Sequence, residues 1–246
     1  MLFDLDGTIL DTLADLTASV NHALAAHELP PRTADEVRAF VGNGIRNLIV
    51  RAVCTAAGVD FTERMDAENG VRAAPVDISL FPLIDAVHAS FTDYYREHCA
   101  DATKPYDGIP ALLQALRARG VRTAVVSNKA DYGVQKLCVR YFPALLDCAV
   151  GERDDIRRKP APDGVLYVMR RFAAACANAV YIGDSDVDIA TAHNAGIRCI
   201  SVTWGFRSER FLREHGADEL CSTPADLLAM LHVAPDVSFH APPSAV

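Results

Sequence analysis

From residue 107 onward, short uninterrupted apolar segments alternate with stretches of helical periodicity. The clearest segment lies at 123–126 and reads Thr-Ala-Val-Val, which is rich in β-branched residues. Such a run is typical of a strand buried on both faces of a parallel sheet. Comparable runs occur at 147–150, 179–182 and 198–202, with helical stretches at 162–175 and 187–194. This alternation predicts an α/β fold built on a doubly wound parallel sheet.

The segments on either side of this alternating region have different patterns. Residues 1–5 are apolar and run into Asp-Leu-Asp-Gly, the pattern of a buried strand followed by a turn. Helical periodicity dominates residues 13–103, apart from a polar and irregular stretch near 61–80, and we expect no strand among them. We therefore predict a core formed by 1–12 and 104–233 and an inserted all-helical cap at 13–103. The last stretch, 234–246, is rich in Pro, Ser and Ala and is expected to be a flexible tail.

Composition restricts the possible classes of function. The chain has 246 residues, 50% of them hydrophobic, and a net charge of −8, so we expect a globular protein that does not bind nucleic acid. Seven cysteines occur without a C-x-x-C spacing, which argues against a disulfide framework or a zinc site. We expect neither a signal peptide nor a membrane span, because the first residues carry Asp4, Asp6 and Asp11 and no apolar run approaches about 18 residues. We expect a cytoplasmic protein without membrane association, either a monomer or a dimer.

Polar motifs follow the predicted strands, and ligands of open parallel sheets bind beyond the carboxyl ends of the strands. The motifs are Phe-Asp-Leu-Asp-Gly-Thr at 3–8, Val-Ser-Asn-Lys at 126–129, Arg-Lys-Pro-Ala-Pro at 158–162 and Gly-Asp-Ser-Asp-Val-Asp at 183–188. Each motif alone has a structural explanation, as a self-capping turn, a helix cap, a solvated lysine or a pair of acids at a helix N-terminus. Their occurrence together favours a site at this edge of the sheet.

The residue types in these motifs suit phosphoryl chemistry with a metal ion. Mg²⁺ prefers one or two carboxylates in an octahedral oxygen shell, which Asp4 and Asp184 could supply. A cation between them would also relieve the repulsion of neighbouring carboxylates. A bound phosphoryl group needs donors for its oxygens, and Ser127 offers a hydroxyl while Lys159 offers a charge.

The turn after the first strand adds two further candidates. The turn at Gly7 could direct backbone N–H groups at a phosphate. Asp6 lies two residues after Asp4 and can return to the site through this turn. There it could protonate the leaving oxygen and later deprotonate a water molecule.

The four motifs FDLDGT, VVSNK, RKPAP and GDSDVD, in this order, resemble those of the haloacid dehalogenase-like hydrolase superfamily. The resemblance implies a Rossmann-like core with strand order 5-4-1-2-3, a helical cap inserted after the first motif, and Mg²⁺ as cofactor. The dehalogenase branch lacks the second acid of the first motif, so the chain looks like a phosphotransferase instead. The resemblance implies Asp4 as nucleophile and metal ligand, and Asp6 as general acid/base and, through its backbone carbonyl, as metal ligand. It implies Ser127 as the phosphate-binding hydroxyl and Lys159 as the charge stabiliser. Asp184 would be a metal ligand, and Asp188 a direct metal ligand or a residue that supports one.

Three stretches, 40–46, 183–196 and 202–208, resemble the phosphoglycolate phosphatase branch of this superfamily. If the likeness extends to the site, Asn43, Gly44 and Arg46 face it, and Arg46 could bind a substrate carboxylate bidentately. Glycines 42 and 44 also have a simpler explanation, as a turn between two helices. The resemblance further implies that Gly7, Thr8 and Asn128 contact substrate.

The leading hypothesis is hydrolysis of a small phosphorylated metabolite, with phosphoglycolate as the favoured substrate. A phosphosugar mutase similar to β-phosphoglucomutase and a pyrophosphatase share every core motif and remain alternatives. A non-catalytic binding protein on the same fold would be expected to lack Asp4 or Asp6, and both are present. Relatives usually carry several residues before the first strand, so either this strand is unusually short or the chain begins late.

Overall fold

The computed structural model describes residues 1–59, 64–66, 70–72 and 78–231. The predicted tail at 234–246 lies outside this range. In chain order, the described strands and helices are β1 (Leu2–Phe3), β2 (Leu10–Asp11), α1 (Leu13–Ala25), α2 (Ala34–Phe40), α3 (Gly44–Ala56), β3 (Arg64–Asp66), β4 (Gly70–Arg72), α4 (Phe81–His98), β5 (Lys104–Pro105), α5 (Ile109–Ala118), β6 (Ala124–Ala130), α6 (Asp131–Tyr141), β7 (Cys148–Glu152), α7 (Asp163–Phe172), β8 (Val180–Gly183), α8 (Asp186–Ala195), β9 (Arg198–Val202), α9 (Glu209–Glu214), β10 (Leu220–Cys221) and α10 (Pro224–Met230).

The central sheet has six parallel strands in the order β10-β9-β8-β1-β6-β7. β1 lies in the middle, where Leu2 pairs with Ala124 on one side and Tyr181 on the other. The predicted order 5-4-1-2-3 is confirmed by the five strands β9, β8, β1, β6 and β7. The short edge strand β10 was not predicted. Among the described residues, no helix has the length and apolar character needed to cross a membrane.

Alternation along the strands builds a hydrophobic core on each face of the sheet, because successive side chains point to opposite faces. Phe3, Val125 and Ile182 face one side, where they pack with side chains of α5 and α6. Leu2 and Tyr181 face the other side, where they pack with α7 and α8. Both faces are therefore covered by helices, which explains why the strands read as continuous apolar runs.

The inserted segment consists mainly of α1 to α4. In α4 the buried residues Ile84, Val87, Phe91 and Tyr95 recur at helical spacing and give the helix one apolar face. The prediction of no strand between 13 and 103 was wrong, because β3 and β4 pair antiparallel there. The stretch near 61–80 is polar and irregular in sequence, so it gave no alternating apolar pattern from which these two short strands could be predicted.

The segment that leaves the core and the segment that returns to it lie side by side. β2 and β5 pair antiparallel, adjacent to the boundaries predicted at 12–13 and 103–104. The buried carboxylate of Asp15, in the first turn of α1, links the segment that leaves the core to the segment that returns to it. It accepts hydrogen bonds from Ala102 N at 2.9 Å, from Thr103 N at 2.8 Å and from Thr103 Oγ1 at 2.7 Å. This carboxylate fixes the return of the chain from α4 to the core.

We predict that Asp15→Asn lowers the free energy of unfolding by about 2 kcal/mol, because the amide nitrogen that replaces one oxygen cannot accept these hydrogen bonds. Urea denaturation measures the change. The exposed Asp93 of α4 provides the control, and Asp93→Asn should stay within about 0.5 kcal/mol of the wild type. Equal stability of the two variants would contradict the role given to Asp15.

Candidate active site

The carboxyl ends of the central strands bring the predicted polar residues together. Asp4 follows β1, Ser127 lies in β6, and Asp184 follows β8. The backbone of Asp4 continues the sheet ladder, with its N–H donating to Ile182 O at 2.9 Å. Asp4, Ser127 and Asp184 are all buried, as is Lys159 from the loop before α7. The structure therefore places these four sequence-predicted residues at one edge of the sheet.

Three carboxylates, those of Asp4, Asp184 and Asp188, offer oxygens within 4.8 Å of one another. Burial raises the pKa of Asp4 to about 6, against the opposing attraction of Lys159. Burial, together with repulsion from Asp188 and Asp4, raises the pKa of Asp184 to about 8. The cluster thus carries more negative charge than its own environment neutralises, which is the condition that a bound cation relieves.

Lys159 and Asp188 form the inner support of this cluster. The Lys159 ammonium lies 2.7 Å from Asp188 Oδ1 and 2.9 Å from Asp4 Oδ1, and it donates to Tyr181 Oη at 3.0 Å. Asp188 Oδ2 accepts from Ser185 Oγ at 2.6 Å and from two backbone N–H groups. Both oxygens of Asp188 are therefore occupied by the protein. Asp4 Oδ1 is buried and makes no aligned hydrogen bond, although Lys159 is close to it.

Two loops approach Asp184 closely. Its Oδ1 accepts from Thr8 Oγ1 at 2.9 Å, and its Oδ2 accepts from the backbone N–H of Phe206 at 2.7 Å. A Cβ atom at Gly7 or Gly205 would collide with the Asp184 carboxylate or its Cβ, so both positions require glycine. The Gly7 backbone also has a φ of +84°, which favours glycine independently.

The predicted phosphate contacts from Gly7 and Thr8 need correction. The Gly7 N–H donates to Leu10 O at 2.9 Å, and the Thr8 N–H donates to Leu5 O. These groups are used inside the turn, so they are not aimed at a ligand. Thr8 instead holds Asp184, and its carbonyl accepts from the indole N–H of Trp204 at 3.0 Å.

Asp6 and Asp4 line one pocket together with Ser127 and Asp184. Asp6 Oδ1 accepts from Thr12 Oγ1 at 2.7 Å and from the ammonium of Lys129 at 2.9 Å. Our interpretation of the sequence did not identify Lys129 as a site residue. The available signal was its position directly after Ser127 and Asn128, at the end of a buried strand.

The cap closes the opposite side of this pocket, whose cavity volume is about 50 Å³. Its cap-side wall is mostly apolar and includes Leu16, Val41, Ile45 and Leu48. Polar contacts connect the cap to the core at the rim of the pocket. Asn128 donates to Gly42 O at 3.1 Å and to Lys159 O at 3.0 Å, and its Oδ1 accepts from Lys159 N.

The other cap residues predicted from sequence have different positions. Gly44 lines the pocket at the start of α3. Asn43 lies on a neighbouring groove, and its carbonyl accepts from Asn47 Nδ2 at 2.9 Å. The structure does not bring Arg46 to the carboxylates, because its guanidinium forms a half-exposed ion pair with Asp85 at 2.7 Å. The Gly-Asn-Gly motif does not predict the direction in which a side chain of α3 points.

Arg207 is a second residue that we did not assign to the site. It lines the pocket and donates to the carbonyls of Arg38 and Val41, at 2.7 Å each, at the C-terminal end of α2. No carboxylate of the described residues lies within ion-pairing distance of it. The sequence signal was the stretch 202–208, which contains Trp204, Phe206 and Arg207 and connects Thr8, Asp184 and the cap.

Comparison with known proteins agrees with this arrangement. Residues 1–202 match the family model described as haloacid dehalogenase-like hydrolase. The chain is similar to an N-acetylmuramic acid 6-phosphate phosphatase of Pseudomonas aeruginosa, at 31% identity over 94% of this chain and 93% of the relative. It is also similar to phosphoglycolate phosphatase 1 of the same organism, at 30% identity over 96% of this chain and 81% of the relative.

A solved structure gives the same picture for the fold. A protein from Lactobacillus delbrueckii subsp. bulgaricus, assigned as a phosphoglycolate phosphatase, is 37% identical to this chain. The two superpose with a TM-score of 0.85, over 94% of this chain and 96% of the other. The likeness covers the core and the cap together.

Proposed function

This chain belongs to the haloacid dehalogenase-like hydrolase family and is a phosphoric monoester hydrolase, and we propose that it transfers the phosphoryl group of a small phosphate ester first to Asp4 and then to water. The observation that carries the proposal is the shared pocket of Asp4 and Asp6, which two buried lysines flank. A nucleophile and an acid on one pocket are the two groups that this chemistry requires.

In the first step, a carboxylate oxygen of Asp4 attacks phosphorus and the bond from phosphorus to the ester oxygen breaks. The leaving oxygen takes a proton from Asp6. In the second step, water attacks phosphorus, Asp6 takes the proton of that water, and the bond to Asp4 breaks. Ser127 and Lys159 supply the donors that hold the phosphoryl oxygens during both steps, because preorganised donors stabilise the charge that spreads over them.

The carboxylate cluster fits a magnesium ion. Asp4 and Asp184 would hold it together with the backbone carbonyl of Asp6, since hard oxygen donors are the ligands that Mg²⁺ prefers. The buried Asp4 Oδ1 without an aligned hydrogen bond supports this assignment. Asp188, which accepts from the Lys159 ammonium and from the Asp184 backbone N–H, would hold Lys159 and the Asp184 loop in place. Bound Mg²⁺ would supply positive charge against the phosphoryl oxygens.

The charge of the pocket wall supports a small anionic substrate such as phosphoglycolate. Arg207 contributes a positive charge to the wall, and its described partners are neutral carbonyls. This charge is available to a substrate carboxylate, the role that the sequence had suggested for Arg46.

We predict that Asp4→Asn abolishes phosphate release from phosphoglycolate and that Asp6→Asn reduces kcat by about 10²- to 10⁴-fold, since general acid–base catalysis contributes factors of this size. A coupled assay of released phosphate measures both. Asp186→Asn is the matched control, because Asp186 lies two residues after Asp184, outside the pocket, and should stay within about twofold of the wild type. Wild-type turnover by either of the first two variants would refute the mechanism.

Magnesium dependence can be tested without turnover. Calorimetric titration of the wild type with Mg²⁺ should show one binding event, and Asp184→Asn should weaken it by at least about tenfold because a ligand is lost. Asp186→Asn should bind Mg²⁺ as the wild type does. In parallel, EDTA should abolish phosphate release, and added Mg²⁺ should restore it. Activity that survives chelation would remove Mg²⁺ from the mechanism.

The substrate assignment predicts that kcat/KM for phosphoglycolate exceeds that for N-acetylmuramic acid 6-phosphate. Arg207→Met should lower kcat/KM for phosphoglycolate about tenfold or more while sparing ethyl phosphate, which lacks the carboxylate. Arg210→Met is the control, because Arg210 is exposed and pairs with Glu214. Phosphate should be released without a sugar bisphosphate, which a mutase would need as an activator. Faster turnover of the amino-sugar phosphate would overturn the substrate assignment.

A further inference from the structure

Lys129 is a buried lysine that the reaction described above does not use. Its side chain is 2% exposed, and its ammonium lies between Asp6 of the core and Tyr95 of cap helix α4. A lysine is almost never fully buried unless it is paired. Both partners line the pocket, as Lys129 itself does. The lysine therefore sits where the cap meets the proposed general acid.

Lys129 contacts Oδ1 of Asp6 rather than Oδ2. Lys129 Nζ at 2.9 Å and Thr12 Oγ1 at 2.7 Å both donate to Oδ1. Among the described residues, no donor bonds Oδ2. Oδ2 is therefore the oxygen of Asp6 that is free to face a substrate, because Oδ1 already accepts two hydrogen bonds. The oxygen that can exchange a proton with substrate is fixed by these two donors.

Tyr95 makes this arrangement depend on the cap. Its hydroxyl lies 2.5 Å from Lys129 Nζ, and the ammonium is also 4.8 Å from the centre of the Tyr95 ring. Tyr95 is buried and stacks on Phe91 within α4, so its position follows that of the helix. Withdrawal of α4 would take away the partner that holds Lys129 against Asp6.

We propose that Lys129 is a positioning residue that, with Tyr95 of the cap, directs Asp6 Oδ2 at the leaving oxygen of the substrate. This inference rests on the proposed function. When Asp6 Oδ2 gives its proton to the leaving oxygen, the bond from phosphorus to that oxygen breaks and the carboxylate left behind is paired with the Lys129 ammonium. When water later attacks the phosphoryl group on Asp4, the proton of that water returns to Oδ2. No further reactant is needed.

The test compares three two-carbon phosphates that differ in the leaving group. Acetyl phosphate releases acetate, which needs no proton, whereas ethyl phosphate and phosphoglycolate release alkoxides that do. For Lys129→Met, we expect kcat/KM to fall about 10²-fold for ethyl phosphate and phosphoglycolate and to stay within about threefold for acetyl phosphate. Because each ratio is taken within one preparation, the fraction of folded protein cancels.

Tyr95→Phe removes only the hydroxyl and provides a milder second variant. It should lower kcat/KM for ethyl phosphate about fivefold, again without an equal loss on acetyl phosphate. The matched control is Lys136→Met. Lys136 also joins the core to α4, through the carbonyls of Arg96 and Glu97, but lies outside the pocket. This control should leave the ratio of the two substrates unchanged.

Three outcomes would be decisive. An equal loss on all three substrates in both Lys129→Met and Tyr95→Phe would reduce Lys129 to a structural role and overturn the inference. A loss confined to phosphoglycolate would make Lys129 a ligand of the substrate carboxylate, which also overturns it. If the wild type hydrolyses neither alkyl phosphate, the proposed function itself fails, and that result is distinct from the other two.

Discussion

The burial of three carboxylates at one sheet edge is the constraint on which the rest of the site depends. Asp4, Asp184 and Asp188 offer oxygens within 4.8 Å of one another, and in the described part of the chain the Lys159 ammonium contacts two of them, Asp4 and Asp188. Burying charges without full compensation costs several kcal/mol per ion. Such a free-energy cost is sustainable only where the fold holds the charged groups rigidly. Glycines 7 and 205 permit that by allowing two loops to contact Asp184 directly.

The cap is attached to this edge by a different kind of contact. Asn128, Arg207 and Lys129 reach from the core to carbonyl or hydroxyl groups of the cap rather than to its carboxylates. Hydrogen bonds of this kind contribute about 1 kcal/mol each. A few such bonds, with an apolar wall behind them, suit a cap that must open for substrate and close again on the timescale of turnover. The rigid charges stay in the core, and the adjustable contacts lie at its boundary with the cap.

The sequence predicted the strands of the core and the helices of the cap, but not which cap side chains face the site, for physical reasons. Period-two burial and continuous apolar runs determine where strands such as β6 and β8 lie, and strands of a parallel sheet all end at the same edge. The positions of Asp4 and Asp184 follow from that rule. The direction of Arg46 depends instead on how α3 packs, and the use of the Gly7 N–H depends on the closure of its own turn. Lys129 was overlooked because its partner Tyr95 is 34 residues distant and belongs to the cap.

The two buried lysines separate the parts of the reaction that need the cap from those that do not. Every described partner of the Lys159 ammonium, namely Asp4, Asp188 and Tyr181, belongs to the core, so the charge near the phosphoryl group is in place whether the cap is open or closed. Lys129 has one partner in each part of the protein. In the proposed mechanism, binding of the phosphoryl group can then precede closure, whereas proton transfer to the leaving group becomes efficient only after it. Such an order would keep Asp6 from acting on a phosphate ester that the cap has not enclosed.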